Sequence, residues 1–164
     1  MPIRTFQEFM ASLVRKTEEE VVLRFELVMT DIQILVVQLH REALHRLTRC
    51  RTGRGSTNSL GLRIDLQFFA VQWNSSSATV AEMEADLKFI DENLASSVNS
   101  ALGALKDRKL TDVITHMKEF DRNYQAYFGK EFSYDRYATA FGVSTLPNEI
   151  AGRKALLKSL MAVL

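Results

Sequence analysis

Residues 21–39 read VVLRFELVMTDIQILVVQL, and this stretch decides the fold. Thirteen of its nineteen residues are apolar. Apolar residues recur every three or four positions through it and just beyond it: Val21, Phe25, Val28, Ile32, Leu35, Leu39 and Ala43. That spacing is typical of a long helix with a continuous apolar face. Because one face needs fewer apolar residues than this, we expect neighbouring helices or a second chain to cover the other faces.

The same stretch also contains an alternating pattern, which favours a strand. Apolar residues occupy every second position from Leu23 to Met29, and Thr30-Asp-Ile-Gln33 has the spacing of a fresh helix start. Residues 60–72 alternate in the same way, from Leu60 to Phe68. The alternative to the long helix is therefore a small two-stranded β element formed by residues 21–29 and 60–72, since each strand needs a partner for its backbone groups. We favour the long helix.

Helix signals recur through the rest of the chain. The stretches Thr5-Phe-Gln-Glu8 and Thr79-Val-Ala-Glu82 have the spacing of capping boxes. Gly129 follows an apolar stripe at the position of a C-cap, and Pro147 is placed to open a last helix. The sequence predicts a mainly α fold, a bundle of about four to six helices with coiled-coil-like apolar stripes.

The length and composition fit one helical domain over residues 1–164. Glycines and hydroxyl residues predict a flexible Gly/Ser/Arg loop at residues 51–59, which ends the long helix. A second polar stretch predicts a linker at residues 74–78.

The sequence predicts a cytoplasmic (intracellular) protein with no membrane partner. Cys50 is the single cysteine and cannot form an internal disulfide, which favours a reducing compartment. The most apolar window still contains Arg24, Glu26 and Asp31, which a lipid-facing helix would hold at a high cost. The first residues lack the apolar core of a signal peptide.

Positive charge is concentrated in residues 39–58, LHREALHRLTRCRTGRGSTN. This stretch holds five arginines and one glutamate, whereas the net charge of the whole chain is +1. Guanidinium groups bind phosphate or carboxylate in two-pronged fashion, and a glycine loop lets several converge on one anion. We predict a partner-binding or anion-binding cluster at Arg46, Arg49, Arg51 and Arg54. The alternative is a solvated basic helix end.

Aromatic residues are concentrated in residues 120–141, which hold eight of the fifteen aromatic side chains. Such a segment indicates a packed corner between helices, a protein interface with tyrosine anchors, or a surface on which bases stack. The candidate interface aromatics are its four tyrosines: Tyr124, Tyr127, Tyr134 and Tyr137.

The motifs that would carry catalysis or metal binding are incomplete in this sequence. Glu42 and His45 form one ExxH pair, but a di-iron bundle needs two, and Val113 occupies the matching position before His116. Zinc spacings, nucleophile motifs and phosphate loops are also missing. We predict no catalytic residue, no metal and no cofactor, and we favour a protein that binds; an enzyme stays open as a further alternative, since catalysis depends on converging groups that a linear sequence can conceal.

These patterns lead to two functional hypotheses. The first is a non-enzymatic interaction or assembly protein that forms a homo-oligomer or docks a protein partner through long amphipathic helices, with the Arg-rich loop on an acidic group. The alternative is a nucleic-acid-binding helical protein that uses the Arg loop for phosphates and residues 120–141 for bases. Residues 79–105 resemble the long helix of rod-shaped plant virus coat proteins, which implies a filament-forming coat or nucleoprotein as one form of this alternative. The residues before them depart from that family's pattern.

Overall fold

One helix, α2 (Glu18–Thr52), lies at the centre of the structure. The computed structural model describes residues 5–52, 80–129, 131–134 and 142–162, without the side chains of residues 49–52. Every residue from Val21 to Leu39 is buried or half-buried. The chain itself therefore covers all sides of the stretch that is too apolar for a surface helix.

The long-helix prediction for residues 21–39 is confirmed, and the strand alternative for residues 21–29 is wrong. Alternation in this stretch does not separate an inner face from an outer face, because Phe25, Leu27 and Met29 are all fully buried in a helix. Thr30 does not start a new helix; its hydroxyl donates to the Glu26 carbonyl at 2.7 Å inside α2. The other predicted strand, residues 60–72, lies outside the described residues, which themselves contain no strand.

Side-chain caps begin the first two helices. α1 (Phe6–Ser12) starts at Thr5, whose hydroxyl oxygen accepts from the Glu8 amide at 3.1 Å. This confirms the helix start predicted at Thr5. α2 follows Thr17, whose hydroxyl accepts from the Glu20 amide at 3.2 Å. The first turn of α2 carries three glutamates, whose negative charges interact favourably with the positive end of the helix dipole.

The next two helices form one continuous rod. α3 (Val80–Phe89) leads into a π-helical segment (Ile90–Ala95) and then into α4 (Ser96–Lys106). Phe89 and Ser96 keep right-handed helical dihedrals at the two junctions, so the axis is not interrupted. The rod packs along α2. His40 of α2 places Nε2 3.2 Å from the Asp91 carboxylate of the π-helical segment.

A tight turn joins α4 to α5 (Leu110–Phe128). The Lys109 amide donates to the Ala104 carbonyl at 2.9 Å and the Arg108 amide donates to the Leu105 carbonyl at 3.0 Å. These are the two hydrogen bonds of a Schellman motif, and Arg108 adopts the left-handed conformation, with φ of 58°, that glycine usually supplies. α5 packs closely against α4.

The last helix, α6 (Leu146–Ala162), packs against α2 and carries Pro147 in its first turn, as predicted. Two consecutive residues tie α6 to α2. Arg153 places Nε 2.9 Å from Asp31 Oδ1, and Lys154 pairs with Glu26. Asp31 is only 1% exposed, so Arg153 neutralises a carboxylate inside the bundle.

The prediction of a mainly α bundle of about four to six helices is confirmed. The described residues form six α-helical segments, two of which are joined through the π-helical segment. One hydrophobic cluster includes residues from the other helical segments, and Leu87 and Phe89 of α3 pack against it. Within the described ranges, no helix combines the length and the apolar content needed to cross a membrane. The single domain over residues 1–164 stays a prediction, and the linker at 74–78 and the loop at 51–59, apart from the helical end of α2, lie outside the described residues.

Two glycine-to-alanine changes should shift stability in opposite directions. Gly129 ends α5 with φ of 73°, where a Cβ is disfavoured by about 1 kcal/mol, so Gly129→Ala should lower the free energy of unfolding by about that amount. Gly152 is exposed in α6, so Gly152→Ala should raise it by about 0.5–1 kcal/mol through helix propensity. A Cβ built at either position meets no atom within 4 Å, so packing does not obscure the comparison. Urea unfolding measures both, and equal shifts of one sign would contradict the backbone assignment.

Candidate functional site

The structure separates the members of the predicted arginine cluster. Arg46 is 3% exposed, and its Nη1 lies 3.5 Å from Asp86 Oδ2 of α3, so it links two helices inside the bundle. Arg49 and Arg51 belong to the last turns of α2, but their side chains lie outside the described residues, as does the whole of Arg54. Anion binding at these three arginines stays a prediction.

The predicted interface tyrosines also fall into different environments. Tyr124 and Tyr134 are 1% and 0% exposed and form a packed corner with rings from α1, α5 and residues 131–134. Burial raises the pKa of Tyr124 to about 12. Tyr127 is half-buried and stacks on Phe89 with ring centroids 4.5 Å apart. Tyr137 lies outside the described residues. An interface role for the tyrosines stays a prediction.

A groove of about 530 Å³ runs between α2, α4 and α6. Its apolar floor consists of buried or half-buried side chains from all three helices: Val22, Leu102, Leu105 and Leu157. Its rim carries three cations, Lys106, Arg108 and Lys154, and one carboxylate, Glu26. We call this feature the basic groove.

The rim of the basic groove is held in place by ion pairs at the surface. Lys154 pairs with Glu26, and Arg108 places Nη1 3.4 Å from Glu19 Oε2. The side chains of Arg108 and Glu19 are more than half exposed, so this pair contributes little to stability. Lys106 is exposed on the last turn of α4. These charges can therefore meet a partner without unfolding the bundle.

A second cavity, of about 460 Å³, lies between α1, α5 and residues 131–134. We call it the carboxyl cleft. It is lined by two carboxyl groups, one ammonium, two aromatic rings and three uncharged polar side chains: Asp121, Glu131, Lys118, Phe6, Phe132, Thr5, Gln7 and Gln125. Behind it, the buried Tyr134 hydroxyl donates to Asp121 Oδ1 at 2.5 Å.

Asp121 is the titratable group whose environment is most unusual among the described residues. Burial raises the pKa of its carboxyl from 3.8 to about 7. The hydrogen bond from Tyr134 lowers the pKa by favouring the charged form, while the negative charge of Glu131 raises it further. Carboxyls with such shifted pKa values, when they line a cavity, are frequent at functional sites.

The residue pattern contained only a weak signal for the carboxyl cleft. Asp121 directly follows the buried Phe120 and lies at the edge of the apolar face of α5, where a carboxyl is easily read as solvated. Its partner Tyr134 lies thirteen residues further on, beyond the end of the helix. Spacing within a helix cannot relate residues on two different elements. The contact between Asp121 and Tyr134 could therefore be identified only from the structure.

Comparison of the chain with protein families, with curated proteins and with solved structures finds no match. The functional argument therefore depends on the geometry of the two cavities.

Asp121→Asn should change how stability depends on pH. The folded state holds a proton on Asp121 between about pH 4 and about pH 7 that the unfolded state has lost, so the free energy of unfolding of the wild type falls as pH rises through that window. Asparagine cannot ionise and still accepts the Tyr134 hydrogen bond. The variant should match the wild type near pH 4 and exceed its stability at about pH 8 by roughly 2 kcal/mol, a value discounted for partial exposure. Urea unfolding across this range measures the difference.

The exposed Asp107 provides the control for this prediction, since Asp107→Asn should follow the wild type throughout the window. A constant difference between Asp121→Asn and the wild type at every pH would contradict the shifted pKa.

Proposed function

We propose that the protein is a non-enzymatic interaction module that docks an acidic amphipathic helix of a protein partner in the basic groove. The observation that carries the proposal is the combination of an apolar floor from three helices with a cationic rim. Groove-and-helix recognition uses these two components, since apolar anchors supply affinity and flanking charges select the partner.

The floor is suited to the apolar side of a helix. Val22 and Leu105 are each 6% exposed, and Leu102 and Leu157 are half-buried beside them, so the groove offers apolar surface without an open hole in the core. A partner that covers the half-buried leucines removes their apolar surface from water, which stabilises the complex by roughly 25 cal/mol for each Å² buried. Side chains spaced three or four residues apart on one helix face fit such a line of contacts.

The rim determines the sign of the partner's charge. Among the described residues, three cations line the groove with Glu26, and Glu19 pairs with Arg108 beside it, so the rim keeps an excess of one positive charge. Carboxylates on both sides of the partner's apolar stripe would pair with Lys106 and Lys154. Because the rim is exposed, these contacts should speed association more than they strengthen it, and salt should weaken them.

Docking of a partner fits the structure better than self-association through α2. The apolar excess of residues 21–39 suggested a second chain, but the chain's own segments bury that stretch. Arg49 and Arg51 lie about 25 Å or more along α2 from the groove residue Gln33, at 1.5 Å per residue. The arginine loop would therefore meet its acidic group at a separate contact.

A designed helix tests the proposal directly. The probe is a fluorescein-labelled peptide of roughly eighteen residues with leucines at helical spacing and glutamates on the flanks. We expect saturable binding by fluorescence anisotropy, and binding at least about tenfold weaker for the double variant Lys106→Glu, Lys154→Glu, because both rim attractions become repulsions. The matched control is Lys88→Glu, Lys158→Glu, which changes two exposed helical lysines outside the groove and should bind like the wild type.

Two further ligands show which outcome overturns the proposal. A scrambled peptide of the same composition, which lacks an apolar face, should bind at least about tenfold more weakly because it cannot use the floor. Equal binding of both peptides would show that the groove acts as a nonspecific basic patch, and would overturn the proposal. A single-stranded RNA oligonucleotide that binds more tightly than the designed helix would instead support the nucleic-acid alternative.

Light scattering coupled to size exclusion provides an independent check. We expect the mass of one chain, 18.7 kDa, at micromolar concentration after nuclease treatment, because α2 is already covered within one chain. A stable dimer whose mass falls to one chain in Lys106→Glu, Lys154→Glu would show that the groove accepts a second copy. Co-purifying nucleic acid would favour the alternative function.

A further inference from the structure

The carboxyl cleft lies apart from the basic groove. It is bounded by α1, α5 and residues 131–134, and none of its lining residues lines the groove. Its volume of about 460 Å³ falls in the range of small-molecule sites. A ligand of this cleft would therefore be distinct from the protein partner proposed above.

We propose that the carboxyl cleft binds a small organic cation, an alkylammonium with an apolar or aromatic body, with its charge on Asp121 and Glu131 and its body against Phe6 and Phe132. Both carboxyl groups line the same cavity, and both rings lie beside them. This goes beyond the docking function, because it assigns a ligand class to a different surface.

The Asp121 carboxyl is oriented by the fold. Tyr134 is fully buried and donates its hydroxyl to Asp121 Oδ1 at 2.5 Å, and its ring is held by the rings of Phe6, Phe9 and Phe132 at centroid distances of 5.2–5.5 Å. The donor cannot move without disturbing this aromatic cluster. A carboxylate fixed in this way loses little freedom when it binds a ligand, which favours affinity.

The sign of the ligand's charge follows from the charged side chains that face the cleft. Among the described residues that line the cleft, Asp121 and the exposed Glu131 contribute two carboxyls, and the exposed Lys118, on the same helix as Asp121, contributes one ammonium. α1 contributes only uncharged groups to the lining, Thr5, Phe6 and Gln7. The negative charge of Glu131 raises the pKa of Asp121, and the hydrogen bond from the Tyr134 hydroxyl lowers it. A cation placed between the two carboxyls would relieve this repulsion.

The uncharged lining suits the rest of such a ligand. Phe6 and Phe132 are 6% and 5% exposed, so their rings offer limited edges and faces to a small apolar body. Aromatic faces attract cations as well as apolar groups. The side-chain amides of Gln7 and Gln125 are exposed at the mouth, where their carbonyl oxygens can accept from an ammonium.

Binding should be stronger at higher pH. Asp121, with a pKa of about 7, must be ionised to pair with the cation, so the apparent affinity scales with its ionised fraction. That fraction rises from about a tenth at pH 6 to about nine-tenths at pH 8, so the affinity should increase roughly tenfold. Proton release should accompany binding near pH 7.

Calorimetry with phenethylammonium tests the proposal on the intact chain. Phenylethanol and phenylacetate have the same ring with a neutral or a negative group, and each should bind at least about tenfold more weakly at pH 8. Asp121→Asn should weaken phenethylammonium about tenfold and abolish the pH dependence, whereas Glu92→Gln, an exposed carboxyl outside the cleft, should change neither. Glu131→Gln, which is exposed and does not endanger folding, should weaken binding and move the midpoint of the pH dependence to lower pH, because the charge of Glu131 raises the pKa of Asp121.

An acetylated and amidated Gly-Lys-Gly peptide distinguishes a free amine from a lysine side chain as the source of the ammonium. Tighter binding of the peptide than of butylammonium would assign the site to a protein lysine, and the reverse order would assign it to a free amine. Equal binding of phenethylammonium and phenylethanol, or tighter binding of phenylacetate, would overturn the proposal. The Lys106 and Lys154 variants test only the basic groove, and the Asp121 and Glu131 variants test only the carboxyl cleft. Either proposal can therefore be overturned while the other stands.

Discussion

The burial of residues 21–39 of α2 on all sides is the constraint on which the rest of the structure depends. A helix with this many apolar residues must be surrounded, and surrounding it also buries the polar residues in its sequence, among them Arg24, Asp31 and Arg46. A buried charge is tolerated only when it is paired. Arg24 pairs with Glu20 within α2, Asp31 with Arg153 of α6, and Arg46 with Asp86 of α3. These last two pairs fix where the neighbouring helices lie along α2.

Periodicity and capping residues were sufficient to predict most of the fold. The cap at Thr5, the left-handed Gly129 and Pro147 in the first turn of α6 act locally, through hydrogen bonds and backbone dihedrals, so sequence analysis could place them. The strand alternative arose because Arg24 and Glu26 fall between Leu23, Phe25 and Leu27, which imitates a period of two, while the apolar residues also fit a period of 3.6. The π-helical segment has no local signature in IDENLA that we can identify.

The candidate sites were harder to predict, because they depend on which elements meet. The prediction of an arginine cluster assumes that all four side chains are exposed. Arg46 is instead buried where α3 covers α2, and it pairs there with Asp86. Composition left open whether the aromatic segment forms a packed corner, an interface or a base-stacking surface, and the structure packs Tyr134 under α1 with its hydroxyl toward Asp121. The basic groove combines residues from three helices, and Val22 and Leu157 are 135 positions apart. Such a combination leaves no trace in local spacing.

Two consecutive residues of α6 show how one helix builds both the fold and a binding surface. Arg153 points to the buried Asp31, where removal of either charge would leave the other in a medium of low dielectric. Lys154 is 57% exposed and pairs with Glu26 at the rim of the groove, where water screens both charges. In the proposed docking, a partner carboxylate would compete with Glu26 for Lys154, so selection of an acidic partner would come at a modest cost in affinity. Because the exposed pair contributes little to stability, charge at the rim can be altered while Arg153 keeps α6 in place.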